Sequence, residues 1–447
     1  MSDQRKDDLA AHRIEHLAPP DGADFLTHLP PHESAELTER LDPIKVGRMV
    51  AEMHPRVAAT IVTRMEPPTA SRVLASMRPD DRVDVLGAIP AALRDRLVLG
   101  MPPSDAEEVR RLQHYPPDTA GGIMTTEVTA LPGNFSVDRA IADLRLRREE
   151  QEPVYYAYTV DDDGRLAGVL SMRDLILSGP STRLSELARD AVAVTADADQ
   201  EDVARVLHKH GYSALPVIDA NGRLLGIITA DDVADVAEEE ATEDIQKLGG
   251  SEALDAPYLG IGFLSMLRKR GTWLTVLFVG EMLTATAMGY FEHQIARAVL
   301  LALFVPLIIS SGGNSGSQAA TIVVRSLALG ELTTRDWGRV LYREARTGLA
   351  LGAWLGLVGF LRIAAWQYMG WFDYGPHYLL LGLAVGLSVA GVITFGSVTG
   401  SLLPIALSRA GLDPATSSAP FVATVVDVTG ILIYFGIAAL VLEGTLL

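Results

Sequence analysis

Long apolar runs are confined to the second part of the chain, and residues 1–255 are by contrast rich in charged side chains. Each run has enough residues for a helix that crosses a hydrocarbon core of ~30 Å, at a rise of ~1.5 Å per residue. The pattern therefore predicts a soluble part followed by an α-helical membrane domain with five transmembrane helices. The five runs lie at about residues 272–291, 298–327, 343–371, 377–408 and 417–442.

A repeat of twelve residues organises the start of the chain, across residues 24–115. In each unit an apolar residue is followed within two positions by a proline. Proline is tolerated in the first helical turn and ends what precedes it, so each unit reads as a short helix and a corner. The apolar positions are Leu29, Leu41, Met53, Met65, Met77, Ile89 and Met101, and the prolines are Pro30, Pro43, Pro55, Pro67, Pro79, Pro90 and Pro102.

Such units bury their apolar faces only against neighbouring units, which predicts an all-α superhelical N domain over residues 1–123. Asp80 and Asp84 lie four residues apart on one helix face of this domain. They read either as a solvated edge or as members of a shared cation site.

A second repeat has an offset of 58 residues and joins 161–176 to 219–234. Both copies read Gly-Arg-Leu-x-Gly, two aliphatic residues, then Ser or Thr followed by x-x-Asp. Each predicts a strand, a glycine turn, a buried strand and a helix capped by Ser171 or Thr229. The pattern resembles a tandem CBS-domain pair, an α/β module, over residues 124–236.

CBS pairs often hold an adenine nucleotide between the two copies, so the resemblance implies ATP as a candidate ligand. Aromatic side chains would stack on the base, an arginine would bind phosphate and an aspartate would bind the ribose. A purely mechanical dimerisation module is the alternative. The residues implied are Tyr156, Arg173, Asp174 and Tyr212.

An acidic stretch follows, in which eight of the fourteen residues from 231 to 244 are Asp or Glu. We assign residues 237–270 to an acidic connecting helix and linker. Like charges four apart oppose helix formation by a few tenths of a kcal/mol per pair. The stretch therefore predicts either bound cations or an ordinary solvated face. On a helix, one stripe is formed by Asp232, Asp235, Glu239 and Glu243.

One carboxylate, Asp427, lies inside the last apolar run. A charge at membrane depth costs at least ~3 kcal/mol, so it must face protein or water. Small or hydroxyl residues, Ala423, Thr424 and Gly430, share its helix face. Asp427 is therefore either satisfied within the helix bundle or part of a cation site on a water-filled path.

The second apolar run contains Pro306 and the polar, glycine-rich stretch 310–318. Such backbone is tolerated at membrane depth only where it is buried or lines water. We expect the helix to break at Pro306 and again within 310–318, and the second break to offer carbonyl groups to a hydrated ion. Gly313, Asn314 and Gln318 are candidate lining residues of the path.

The first apolar run contains a second acid at membrane depth, Glu281. An ionisable residue in such a run is a functional candidate by default. A snorkelling carboxyl group, or a pair with Arg362, is the alternative.

Composition excludes several classes of function. The chain has 38 Lys and Arg against 56 Asp and Glu, a net charge of −18, which argues against nucleic acid and favours cations as partners. Because there is no cysteine, thiolate metal sites and disulfides are excluded. No nucleophile–base set or phosphate-binding loop motif is present, so an enzyme is not expected.

Basic residues flank alternate ends of the apolar runs, before the first run at 268–270, after the second at 335–346 and after the fourth at Arg409. By the positive-inside rule, the N-terminal part is cytosolic and the C-terminus lies outside. No apolar core of a cleavable signal peptide follows the N-terminus. An odd number of spans disfavours an inverted repeat within one chain, so a pore is easier to build at a two-fold axis between two copies.

Four stretches together resemble the MgtE family of magnesium channels, over nearly the full chain. They are Gly-Gly-Asn-x-Gly-x-Gln at 312–318, Ser-Ala-Pro-Phe-x-x-Thr-x-x-Asp-x-x-Gly at 418–430, Leu-Asp-Pro-Ala at 412–415 and Glu-Ala-Thr-Glu-Asp-Ile-Gln-Lys-Leu-Gly at 240–249. The resemblance implies a homodimer in the plasma (inner) membrane, with a Mg²⁺ path through domains at 271–447. Asp427 would hold the hydrated ion there.

The resemblance further implies that cytosolic Mg²⁺ binds acidic residues of the soluble part and closes the path. Mg²⁺ keeps several of its waters, so few carboxylates suffice. An inside-negative potential would drive influx by ~2.3 kcal/mol per charge per 100 mV. The regulatory residues implied are Asp232, Asp235, Glu239, Glu240, Glu243, Asp244 and Asp413, with Asp80 and Asp84 as partners in the N domain.

Three alternatives remain open at this point. The chain could transport other divalent cations such as Mn²⁺ or Co²⁺. It could be a proton-coupled antiporter, for which Glu281 is the relevant residue. It could also be a membrane receptor whose CBS pair senses a nucleotide.

Overall fold

The structure is a computed structural model that describes residues 14–146, 155–254, 258 and 260–445. The chain separates into two compact units, residues 1–240 and 241–447. The helix predicted to connect the two halves runs across this boundary.

The N-terminal part of the first unit contains short helices whose first turns carry proline, as the repeat predicts. Each helix packs on the next but one, α1 on α3, α2 on α4 and onward to α6 on α8. The recurring apolar side chains line the core, where Met77 is 3 % and Ile89 3 % exposed. The predicted superhelix is confirmed. Its helices are α1 Pro19–Thr27, α2 Pro31–Thr38, α3 Pro43–Ala51, α4 Pro55–Val62, α5 Pro67–Ala75, α6 Pro79–Gly87, α7 Ala91–Leu99 and α8 Pro103–Leu112.

The CBS pair follows as two similar three-stranded sheets. In each sheet the first strand pairs in parallel with the second, and the second pairs antiparallel with the third. Ser171 caps its helix in a capping box with Asp174, which confirms that predicted cap. At the second helix the Thr229 amide donates to the Asp232 side chain, and the cap by the Thr229 hydroxyl stays a prediction. The elements are β1 Ala130–Pro132, α9 Val137–Leu146, β2 Tyr156–Val160, β3 Leu166–Ser171, α10 Met172–Leu177, α11 Leu184–Leu187, β4 Val194–Thr195, α12 Gln200–His210, β5 Ala214–Ile218 and β6 Leu224–Thr229.

The acidic connecting helix, α13, spans Ala230–Leu248 without a break. It begins inside the stretch assigned to the CBS pair, because it follows directly after the last strand, which ends at Thr229. Val233 and Val236 are its buried residues, and they anchor one side while the acidic residues occupy the others. The proposed domain limits remain predictions, although the helix crosses the limit set at residue 236.

Among the residues that the structure describes, the second unit contains five helices that are long and apolar enough to cross a membrane, which confirms the prediction from the apolar runs. The first begins at Phe263, earlier than the expected start at 271. The last four pack into one bundle, and the first packs mainly on the last. The helices are α14 Phe263–Tyr290, α15 Glu292–Arg297, α16 Val299–Ala302, α17 Val305–Ala328, α18 Trp337–Met369, α19 Tyr378–Arg409 and α20 Ala419–Leu442, with short 3₁₀ turns at Thr334–Asp336 and Pro414–Thr416.

The expected break at 310–318 is wrong, because α17 is helical throughout this stretch. The other expected break is present, since the chain is interrupted between α16 and α17 and Pro306 lies in the first turn of α17. There the Tyr434 hydroxyl donates to the Leu301 carbonyl oxygen at 2.8 Å and so satisfies a backbone group.

The glycines of α17 serve helix packing instead. A Cβ atom placed on Gly316 would lie 2.8 Å from Val422 Cγ1 and 3.0 Å from the Gly396 carbonyl oxygen. Small residues of this kind let helix backbones approach closely within a membrane. The backbone carbonyls of 310–318 are therefore not freed for an ion by unwinding.

Candidate cation sites

Asp427 lies half-buried in the middle of α20 and faces α17. A Cβ atom placed on Gly313 would lie 3.4 Å from the Ala423 Cβ atom and 3.9 Å from Asp427 Oδ1. Gly313 thus lies directly in front of the carboxyl group, and its lack of a side chain lets the two helices pack closely here. These three predicted residues are brought together, by helix packing rather than by an unwound loop.

A polar face of α17 lies next to this point. Ser310, Asn314 and Gln318 are exposed at intervals of four residues, so they share one side of the helix. Amide and hydroxyl groups at membrane depth are tolerated where they meet water or protein partners. The face formed by these three residues therefore fits a hydrated path or a protein contact better than lipid.

Thr424 occupies a different environment from the one predicted. Its hydroxyl donates to the Pro420 carbonyl oxygen at 3.0 Å, within its own helix. Its methyl group is 2.6 Å from the position that a Cβ atom on Gly280 would take, so α14 and α20 approach closely here. Thr424 remains a predicted lining residue, although its hydroxyl is already engaged.

Glu281 lies beside Asp427, and the two carboxyl groups interact. The alternative pair with Arg362 is wrong, since the Arg362 guanidinium lies over the Trp366 ring, 3.8 Å from its centroid. Two carboxyl groups in contact at membrane depth cannot both stay charged without a cation or a proton between them. The structure thus adds a second acid to the neighbourhood of Asp427.

In the first unit, a cluster of carboxylates surrounds a single arginine between α6 and α13. Arg78 Nε lies 2.8 Å from Asp81 Oδ2, and its Nη2 atom lies 3.2 Å from Asp232 Oδ1. A weaker contact of 3.5 Å joins Arg78 to Asp231. The acidic stripe therefore has a counter-ion from the chain itself at this end.

Asp80 is the most buried member of this cluster, at 5 % exposure. Its Oδ1 atom has no hydrogen-bond partner. Burial, and then the negative charges of Asp81 and Asp232, hold the pKa of Asp80 well above its ordinary value. A buried, unpartnered carboxyl oxygen among other carboxylates is the kind of group that a cation or a proton would satisfy.

The other carboxyl groups here are shifted in the same direction. Burial raises the pKa of Asp232 to about 6, although Arg78 opposes the shift. Desolvation by the surrounding protein, and then the negative charges of Asp81 and Glu239, raise the pKa of Asp84 to about 7. Part of the Asp84 side chain is exposed, but the neighbouring charges act in the same direction as desolvation. The cluster therefore carries more negative charge than Arg78 offsets.

Asp235 and Glu239 lie exposed on α13, and the Glu240 side chain accepts a hydrogen bond from Gln200 Nε2 at 2.6 Å. Asp244 is half-buried on the same helix. In the described residues, no group of three or more acidic or histidine side chains is positioned to hold a metal ion. An ion that keeps its waters needs fewer direct ligands, so the carboxylates present fit a hydrated Mg²⁺ better than a dry one.

The end of α13 carries a second internal cation. Lys247 Nζ contacts Glu243 on the preceding turn, and it donates to Asp413 Oδ2 at 2.6 Å. Asp413 itself accepts from the Ala415 amide at 2.8 Å, as the cap of a 3₁₀ turn. Two of the predicted regulatory residues are thus brought together by a lysine.

Sequence reasoning missed both basic residues. Lys247 follows Glu243 by four positions, a spacing that indicates an ion pair on a helix. Arg78 could not be found this way, because its partners on α13 lie more than 150 positions away in sequence.

The predicted nucleotide residues lie in both CBS repeats. Asp174 takes part in the capping box of α10 and lies 3.9 Å from Arg189. Tyr212 stacks on His210, with ring centroids 5.2 Å apart. Tyr156 begins β2 and Arg173 is exposed on α10. These placements do not test nucleotide binding, which remains a prediction.

Comparisons with known families match most of the chain. The family described as a divalent cation transporter, MgtE, matches residues 305–437, and the MgtE intracellular N domain matches residues 7–118. The CBS domain matches residues 120–179 and 184–239.

Curated relatives also match this chain over most of its length. The magnesium transporter MgtE of Thermus thermophilus is 41 % identical over 82 % of this chain and 80 % of its own. That of Enterococcus faecalis is 37 % identical over 75 % and 72 %, and that of Bacillus subtilis is 32 % identical over 80 % and 77 %. A crystal structure of the cytosolic domain of the Mg²⁺ channel MgtE in complex with ATP is similar to 51 % of this chain and 93 % of its own, with 35 % identity and a TM-score of 0.49.

Proposed function

This chain belongs to the MgtE family of divalent cation transporters, and we propose that it is a channel that admits Mg²⁺ down its electrochemical gradient. Membership of a transporter family confirms that it is not an enzyme, and confirms the multidomain fold class predicted from sequence. The channel mechanism, the ion selectivity and the closing mechanism are the proposal.

One observation carries the proposal most directly. Asp427 lies in a spanning helix with Gly313, which has no side chain, packed in front of it, beside the exposed polar face of Ser310, Asn314 and Gln318. Hydrocarbon disfavours such groups, whereas a hydrated divalent cation would interact with both the carboxylate and the amides. Because a single chain leaves this face exposed, we propose that two copies of the chain enclose the path at a two-fold axis.

We further propose that cytosolic Mg²⁺ closes the path by binding the acidic residues of α6 and α13, together with Asp413 at the cap of its 3₁₀ turn. Burial is the main reason that the pKa values of Asp84 and Asp232 are raised, but the negative charges of Asp81 and Glu239 add to the shift at Asp84, and such charges also favour a cation. The unpartnered oxygen of Asp80 supports this step as well. Under this proposal the soluble part lies in the cytosol and the C-terminus outside.

An adenine nucleotide between the CBS repeats is a further part of the proposal. It rests on the CBS match and on the exposed Arg173 beside Asp174. Equilibrium binding of a fluorescent ATP analogue to the full chain, with and without Arg173→Ala, tests it.

The decisive experiment is cation flux into liposomes that contain the purified chain. Mg²⁺, Ca²⁺ and Mn²⁺ uptake is compared at two imposed voltages, for the wild type and for Asp427→Asn. We expect voltage-dependent Mg²⁺ uptake that the variant loses, with an unchanged elution profile in size-exclusion chromatography. Undiminished Mg²⁺ uptake by Asp427→Asn would refute the role of this carboxylate, and equal uptake of all three ions would refute Mg²⁺ selectivity.

The contact between Glu281 and Asp427 favours one second candidate, a proton-coupled carrier. Adjoining carboxyl groups at membrane depth are the arrangement that proton coupling would require. In the same liposomes, uptake that follows an imposed pH gradient and ignores voltage would favour the carrier over the channel.

A further inference from the structure

The ammonium group of Lys247 occupies a position between two carboxylates at the end of α13. It contacts Glu243, one turn earlier on the same helix, and it donates to Asp413 Oδ2 at 2.6 Å. The Lys247 side chain is 28 % exposed, and those of its partners 35 % and 36 %. All three are therefore partly shielded from solvent, within one compact unit.

One of the two partners is held in place by a further contact. Asp413 uses its second oxygen, Oδ1, to accept from the Ala415 amide at 2.8 Å, which fixes the carboxylate at the cap of its 3₁₀ turn. Beyond the end of α13, the Leu254 amide donates to the side-chain carbonyl of Gln246 at 2.5 Å, so the chain that follows Lys247 is also held by a hydrogen bond. The ammonium group thus joins a preorganised carboxylate, Asp413, to one on its own helix, Glu243.

The charged form of Lys247 is stabilised by this position. Partial burial works against the charged form, but hydrogen bonds to Asp413 and Glu243 outweigh it, and the pKa of Lys247 is raised. The lysine therefore stays protonated throughout the physiological range and is a permanent local cation.

Glu243 and Asp413 are also two of the carboxylates through which the proposed function has Mg²⁺ close the path. A cation that binds between them must displace the ammonium group or accept its repulsion at short range. Because Lys247 is tethered to the same helix, its local concentration does not fall when the cell is poor in Mg²⁺.

We propose that Lys247 is a built-in counter-ion that competes with the regulatory divalent cation for Glu243 and Asp413, and so sets how much of that cation is needed to close the path. This inference rests on the proposed function and names the residue that adjusts its regulation. Without the lysine, the two carboxylates would repel each other and would bind a divalent cation more tightly.

The test uses the full chain in lipid nanodiscs and measures protection of the soluble part from a protease as Mg²⁺ is added. For Lys247→Gln we expect the Mg²⁺ concentration of half-protection to fall by about two- to fivefold, the range typical of a partly exposed ion pair. Lys247→Arg retains the positive charge and should stay near the wild-type midpoint. Lys209→Gln, which removes the same charge from an exposed position on α12, is the matched control.

A double-variant comparison identifies the partner. In an Asp413→Asn background, Lys247→Gln should shift the midpoint by less than it does alone, because the shared carboxylate is gone. If Mg²⁺ protects the wild type but Lys247→Gln leaves the midpoint unchanged or raises it, the role of Lys247 is refuted and the proposed function is not affected. Absence of Mg²⁺ protection in the wild type overturns the regulatory part of the proposed function, and the inference with it.

Discussion

At the scale of single residues, two acidic side chains lie within the spanning helices of the membrane domain. Asp427 was visible in the sequence as a charge inside an apolar run, and so was Glu281. Only their contact distinguishes the possible roles of Glu281, because it excludes the pair with Arg362 and joins the residue to the proposed ion path. A second carboxylate beside Asp427 increases the negative charge that an entering cation meets.

We expect Glu281→Gln to conduct Mg²⁺ with a half-saturating concentration about two- to fivefold higher than that of the wild type, since one favourable partly exposed charge interaction is lost. The liposome assay measures this directly. Glu443→Gln, an exposed acid just after α20, removes the same charge away from Asp427 and should leave the concentration unchanged. Identical uptake curves for both variants would show that Glu281 does not contribute to the path.

At the scale of elements, α13 and α17 show two ways in which a helix accommodates an unfavourable sequence. At one end of the acidic helix α13, Arg78 pairs with Asp232, and at the other end the helix carries its own cation, Lys247. Val233 and Val236 are buried and anchor the helix. The glycine-rich helix α17 is stabilised by close packing on its neighbours. In both cases contacts with distant residues outweigh the local preference against a helix.

The acidic cluster between α6 and α13 predicts a pH dependence. The pKa values of Asp84 and Asp232 are about 7 and about 6 in the folded chain, above their ordinary value of 3.8. The folded state therefore binds more protons than the unfolded state between about pH 4 and 7, and these groups lose stabilising protonation as pH rises through that window. In chelator, we expect a higher thermal midpoint for the full chain at pH 5.5 than at pH 8.

Added Mg²⁺ should raise the midpoint more at pH 8 than at pH 5.5, because at pH 8 it replaces protons that have left. Asp84→Asn combined with Asp232→Asn is the control, since it removes both titrations and should weaken the pH dependence, of which Asp80 retains a part. A midpoint that rises with pH in the wild type would contradict the prediction.

At the scale of the whole molecule, a soluble part rich in carboxylates and a membrane domain with acids at depth are joined by one continuous helix. Under the proposed function, the ion that passes through the membrane path also binds the acidic residues of α13 and so regulates that path.

Neutralising four acids of α13 should leave the path open when internal Mg²⁺ is high, because the cation loses the ligands through which it closes the path. Uptake into liposomes preloaded with Mg²⁺ is the measurement, with protease protection as a second readout. Closure that persists in this variant would refute a regulatory role for these residues. The substitutions are Glu239→Gln, Glu240→Gln, Glu243→Gln and Asp244→Asn, and a control with the same charge change at exposed acids of the CBS repeats is Asp162→Asn, Asp163→Asn, Glu186→Gln and Asp190→Asn.

The sequence by itself determined the five spans, the twelve-residue superhelix and the paired CBS sheets, because hydrophobic length, proline corners and capping residues act over a few neighbouring positions. It also singled out Asp427, whose cost in an apolar run needs no knowledge of the fold. Only the tertiary structure decided that α17 continues through Gly312–Gly316, that Arg78 offsets the acidic helix and Lys247 reaches Asp413, and that Glu281 meets Asp427. Those outcomes depend on close packing and charge pairing between groups far apart in the chain, and local patterns do not record such partners.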